Sequence, residues 1–228
     1  MTNLPLFPLN LVICPGGLLP LNIFEQRYVD MVRSCLRNNS DFGIVCAINN
    51  EKTQWPFASI GTSVEISDAS IPSPGLFSIK CVGLKKFKIT EVKQQADGLW
   101  IGEVEFLNPE PIISVPEDLI STQKDLKRLI ENVKQQGLSE NDFPFISPYQ
   151  FDDCAWLANR WCEILSLPLI QKQRLLALDS PLIRLELIND IFSCKQIARK
   201  SLGRWLGNIY SQSLARKIRV NNLRKIGE

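Results

Sequence analysis

The stretch NPEPIISVPEDL, residues 108–119, places three prolines within twelve positions. Proline fixes φ and lacks the backbone N–H, so neither a strand ladder nor a helix runs through such a segment undisturbed. The chain therefore divides there, and the hydrophobic pattern changes across the divide. Before it, apolar residues alternate or form short runs. After it, they recur every three to four residues.

The first part reads as β-rich. FGIVCAI (42–48) is an apolar run of strand length, and IGTSVEIS (60–67) alternates with Ile60, Val64 and Ile66 on one side. LFSIKCV (76–82) follows a Ser73-Pro74-Gly75 turn. KKFKITEV (85–92) and LWIGEVEFL (99–107) flank Asp97-Gly98, a hairpin signal, and the latter places Trp100, Val104 and Phe106 opposite Glu103 and Glu105. Half-buried strands so close in sequence predict a small antiparallel barrel or curled sheet. Tyr28, Met31, Val32, Cys35 and Leu36 recur at helical spacing, which predicts a helix over 25–37 packed against that sheet.

The second part reads as helical. Pro116-Glu117-Asp118 suits a first helical turn, and Leu119, Leu126, Leu129, Ile130 and Val133 continue one face until Gly137. NDFPFISPYQ (141–150) is a proline-broken aromatic loop. Asp152-Asp153 then opens a helix carrying Trp156, Leu157, Trp161 and Leu165, whose aromatics are expected in the core. LIQKQRLLAL (169–178) gives a short helix. Ser180-Pro181 reads as a cap and first residue for another, with Leu182, Leu185, Ile188, Ile191 and Phe192 along its face. The expected organisation is a β-rich part over 1–110, a helical part over 111–194, and a basic helical tail over 195–228.

Composition narrows the chemistry. The 228 residues are 45% hydrophobic and 22% charged and contain no histidine. Nucleophilic systems built on Ser-His or Cys-His are thereby excluded. Seven cysteines lack a C-x-x-C pair and sit among apolar neighbours, which predicts buried reduced thiols in a cytoplasmic protein and no metal or other cofactor. The start, MTNLPLFPLN, has no basic segment and two prolines, unlike a secretory signal. No apolar run approaches the ~18 residues of a membrane span.

Charge is uneven. Residues 195–228 hold nine basic side chains and one acid, so of the chain's 26 basic and 24 acidic residues the first 194 keep 17 and 23. In the tail, Ala198, Leu202, Trp205 and Ile209 form an apolar stripe beside Arg199, Lys200 and Arg204, with Arg216 and Lys217 further on. Such a segment docks on the body or on a partner, or meets an acidic partner such as nucleic acid phosphates or a lipid surface.

The stretch CPGGLLPLNIFEQRY (14–28) follows a proline-glycine turn with an apolar run. An alternating strand buries one face, so Leu18, Leu19, Leu21, Ile23 and Phe24 are either core throughout or leave an exposed apolar remnant that holds polypeptide. Glu25 and Arg27 suit a local ion pair at the start of a helix, beside Tyr28.

LPLFPL (4–9), CPGGLLPLNIFEQRYVDMV (14–32), FGIV (42–45), IGTSVEI (60–66) and GLKKFKI (83–89) occur in that order. Together they resemble the N-terminal substrate-binding domain of the Lon proteases. WLANRWCEIL (156–165), KQRLLALDSP (172–181) and LIRLELI (182–188) look like the stand-alone bacterial proteins built from that domain. The resemblance spans roughly residues 4–194. It implies an α+β fold, a PUA-like pseudo-barrel with one packed helix followed by a helical bundle. It also implies recognition of unfolded or tagged polypeptide, while the related domain of cereblon implies docking of a partner protein. Two positions depart from the family pattern: Gln26 stands where proline is usual and Lys86 where arginine is usual, and lysine lacks arginine's two-pronged fork.

No G-x-x-x-x-G-K-[ST] phosphate loop occurs, nor any Gly-Lys dipeptide, and nothing resembles Lon's Ser-Lys protease module. The expected function is non-enzymatic binding of unfolded or extended polypeptide, or of a partner protein. The expected surface comprises Leu18, Leu19, Leu21, Ile23, Phe24, Glu25, Arg27 and Tyr28, with Phe143 and Phe145 from the aromatic loop. The alternative is an RNA-binding PUA-like protein using Arg199, Lys200, Arg204, Arg216 and Lys217.

Overall fold

The computed structural model describes residues 2–48, 55–135 and 146–193. The expectations placed on Gly137, Phe143, Phe145, Cys194 and the basic tail lie outside these residues.

Six strands form one sheet: β1 (Thr2–Leu9), β2 (Leu18–Ile23), β3 (Phe42–Cys46), β4 (Ile60–Ser73), β5 (Leu76–Gln94) and β6 (Trp100–Phe106). Their order is β2-β5-β4-β3-β1-β6, and a further β5–β6 pairing closes β1, β3, β4, β5 and β6 into a ring. Two features correct the pattern reading. LFSIKCV and KKFKITEV are halves of one 19-residue strand, β5, whose first half pairs with β2 and whose second half pairs with β6. The sheet also contains one parallel pair, β1 with β3.

β1 has no strand signal in the sequence because Pro5 and Pro8 interrupt it. β6 pairs residues 2–6 of β1 and β3 pairs residues 6–9. Each proline thus lies where β1 has a partner on one side only, which is where a missing N–H is tolerated. Phe106, expected on the buried face of β6, is 41% exposed and meets Phe87 edge to face at 6.5 Å between ring centroids. It is the last residue of its strand.

α1 (Gln26–Asn38) buries Tyr28, Val29, Met31, Val32 and Cys35 against Ile23, Phe42, Ile44, Val64 and Ile79, the face its periodicity predicts except for Leu36, which is 45% exposed. Inside the ring, Leu4, Leu6, Val45, Phe57, Phe87, Ile89 and Val104 form a second cluster.

After the proline segment, a 3-10 turn (Glu117–Leu119) leads into α2 (Ile120–Gln135), followed by α3 (Cys154–Ile164), α4 (Leu169–Ala177) and α5 (Pro181–Ser193). The Asp153 carboxylate caps α3 by accepting from the amides of Ala155 and Trp156, and the Ser180 hydroxyl accepts from Ile183 at the start of α5. Trp161, Leu157, Leu165, Leu185 and Ile188 bury themselves together with Leu126 and with Val12, Cys14 and Cys46 of the first part. The two parts therefore share one core cluster rather than meeting through a linker.

Candidate functional site

The turn that begins at Cys14 is held from the helical side. Gly16 has φ +77°, a left-handed conformation that favours glycine. At Gly17 an added Cβ would collide with Oε1 of Glu163, so glycine leaves the room that carboxylate occupies. Glu163 Oε1 accepts the Cys14 amide at 2.9 Å, and its other oxygen pairs with Arg160 at 3.2 Å. The Arg160 guanidinium in turn donates to the carbonyls of Gly16 and Pro15, the latter at 2.8 Å. Burial pushes the Glu163 carboxyl above its ordinary range, against the opposing pull of Arg160, the Cys14 amide and Lys172. Thus CPGG and NRWCE, blocks 144 residues apart, interlock.

A second buried polar junction joins the parts. Lys86, 5% exposed on β5, bonds Glu110 at 2.7 Å and the carbonyls of Leu176 and Leu178 at 3.3 and 3.1 Å. Glu110 also receives Arg184 of α5, which reaches Asn159 of α3 at 2.7 Å. Burial alone would push the Glu110 carboxyl up, but Arg184 and then Lys86 outweigh it and hold it below its ordinary value. Lys86 acts here as a point charge with three acceptors, the contact open to lysine without a fork. Sequence reading marked Lys86 but missed Glu110, Arg160, Glu163 and Arg184. For Arg160, Glu163 and Arg184 the signal is charge inside otherwise apolar helices, legible only once the faces are assigned, whereas Glu110 lies in the irregular proline segment and has no such signal.

The residues expected to hold polypeptide separate by strand alternation. Ile23 is buried and Leu19 and Leu21 are half-buried against the α1 side of the sheet. Leu18 is half-buried, whereas Pro20 and Asn22 are exposed. Phe24, at the bend between β2 and α1, is 72% exposed. Tyr28 is buried and stacks on Phe7 at 4.1 Å. Arg27 bonds Glu25 at 2.7 Å and the Gly98 carbonyl at 3.1 Å, tying α1 to the β5–β6 turn. Among the described residues β2 pairs with a strand on one side only. The structure therefore places Leu18 and Phe24 at opposite ends of the open-edged β2 and directs Leu19, Leu21, Ile23 and Tyr28 inward. Of the loop aromatics, Tyr149 and Phe151 pack on Trp156 at 6.0 and 5.3 Å.

Next to the turn lies a cleft of about 350 Å³ between the two parts, lined by Pro15, Leu84, Leu107, Pro109, Trp156 and Asn159 among others. No group of side chains among the described residues could hold a metal ion. No described helix is long and apolar enough to cross a membrane.

The family model of the ATP-dependent protease La (Lon) substrate-binding domain matches residues 3–193. The chain belongs to that family. A Lon N-terminal domain protein from Xanthomonas campestris is 29% identical, and its crystal structure superposes with a TM-score of 0.68 over 83% of this chain and 98% of that one. The N-terminal domain of a Mycobacterium avium complex Lon protease, 16% identical, shares the fold with a TM-score of 0.54 over 83% of this chain and 97% of that one. Among curated proteins, cereblon of Danio rerio is 30% identical over 118 residues, half of this chain and 27% of that protein. The Lon protease of Cytophaga hutchinsonii is 26% identical over 139 residues, 59% of this chain and 16% of that protein. The chain thus matches less than a third of the length of these curated relatives. Every block that suggested Lon falls within the matched span, and the interlock of CPGG with α3 gives two of those blocks a structural role.

Proposed function

We propose that this Lon substrate-binding domain is a non-catalytic module that holds unfolded or extended polypeptide, or an exposed segment of a partner protein, at the open edge of β2. Phe24 carries the reading. An aromatic side chain left 72% exposed at the bend where β2 ends forms an apolar anchor that the fold itself does not use. Pro20 lacks an N–H on this edge, so side-chain contacts rather than a full added ladder supply the affinity. The ring of strands is read as the PUA-like pseudo-barrel and α2–α5 as the helical bundle of this domain type. Binding of a fluorescein-labelled, permanently unfolded polypeptide (reduced, carboxymethylated ribonuclease A), followed by anisotropy, tests the function. Saturable binding supports it, and none at high micromolar protein contradicts it.

A further inference from the structure

Asn159 is 3% exposed, sits on α3 and lines the cleft beside the Pro15-Gly16 turn. Its orientation is fixed by chemistry. Arg184 can only donate, so the atom it meets at 2.7 Å is the amide oxygen. The amide nitrogen is thereby turned away from Arg184. It has no hydrogen-bond partner among the described residues, yet it is not sealed from solvent as the buried unpartnered atoms are. A donor so placed, on a side chain more than nine-tenths buried, is left to face the cleft.

The rest of the lining sets what that donor meets. Leu84, Leu107, Pro15, Pro109 and Trp156 make the walls mostly apolar. Of the charged lining, Lys86 is committed to Glu110 and two carbonyls, Glu110 to Lys86 and Arg184, and the Asp153 carboxylate to the amides of Ile113, Ala155 and Trp156, while Lys85 is exposed. Lys86 has no donor to spare, so among the buried lining residues the Asn159 amide offers a neutral hydrogen bond rather than an ion pair. A volume of about 350 Å³ lies at the small end of ligand sites and admits a side chain with its flanking amide.

We propose that this cleft is a second recognition site, taking an apolar residue of an extended polypeptide with the Asn159 amide donating to that residue's backbone carbonyl. The occupant rests on the polypeptide-binding reading above, while the site is separate from Phe24. A carbonyl there gives the Asn159 donor an acceptor, and the apolar side chain is what gains from leaving solvent.

Asn159→Asp isolates the donor, since a carboxylate still accepts from Arg184 but offers nothing to the cleft. Anisotropy with the same unfolded polypeptide should show binding about three- to tenfold weaker than for the wild-type chain, the share of one hydrogen bond. A parallel NMR titration of the 15N-labelled full chain with N-acetyl-leucine methylamide should shift the Asn159 side-chain amide saturably, and needs no variant to fold. Binding that Phe24→Asp weakens and Asn159→Asp leaves unchanged, with no shift at Asn159, overturns the cleft and spares the β2 reading. Binding that only Asn159→Asp weakens does the reverse. A saturable shift at Asn159 in a protein that binds no unfolded chain overturns polypeptide as the occupant.

Discussion

The Arg160 guanidinium on α3 donates to the Gly16 carbonyl, 144 residues away in a turn whose next glycine touches Glu163, the partner of Arg160. The most recognisable stretch of the chain is thus a latch between its two parts before it is anything else. Breaking a buried ion pair from one side leaves the other charge uncompensated, which costs about 3–5 kcal/mol. Arg160→Met should lower stability by that order, and Gly17→Ala by about 1–3 kcal/mol through overpacking against the Glu163 carboxylate. Urea unfolding of both variants checks this. Midpoints within experimental error of the wild type would mean that the latch does not hold the parts together.

The second junction should appear in the acid limb of stability. Glu110 titrates below its ordinary value of 4.5 in the fold because Arg184 and Lys86 favour its carboxylate more than burial opposes it. A lowered folded pKa means that its contribution is complete above about pH 4.5 and is lost as pH falls through the folded value. Glu163, raised by burial, has the opposite slope, so the comparison must be between wild type and Glu110→Gln rather than along one curve. The stability difference between the two should shrink as pH falls below 4.5. A difference constant from pH 7 to pH 3 would contradict the assignment.

The thiols of Cys14, Cys35, Cys46, Cys81, Cys154 and Cys162 are free and buried. Burial pushes Cys46 up to about 11 and Cys81, with a smaller contribution from Cys35, up to about 12. Thiolate, the reactive form, is scarce at both. Native protein titrated with a disulfide reagent at pH 8 should leave these six unmodified until denaturant is added. Rapid modification of Cys81 in the native state, identified by mass spectrometry, would contradict its place in the core.

Much of this was legible before the fold was known. The α1 face, the Asp153 and Ser180 caps and the burial of Trp161 all follow from spacing, because each depends on neighbours within a few residues. β1 was not legible, because its two prolines are tolerated only by the way β3 and β6 divide its length between them. The single long β5 was not legible either, since which strand pairs with which half is a long-range fact. At the site, alternation left open whether Leu18–Phe24 is core throughout or leaves an exposed remnant, and did not say which residues that remnant would hold. The bend that exposes Phe24 comes from α1 starting at Gln26, with Arg27 tied to Glu25 and Gly98. Asn159 had no signal at all, since its meaning depends on Arg184, 25 residues away.

The central claim is that the open edge of β2 binds polypeptide through Phe24, and one substitution tests it. Phe24 is mostly exposed, so Phe24→Asp should change stability by no more than about 0.5 kcal/mol. The same variant should weaken binding of the unfolded polypeptide, read by anisotropy, by about tenfold or more, as loss of an aromatic anchor does. A folded Phe24→Asp protein that binds the unfolded chain as tightly as the wild type would contradict the account.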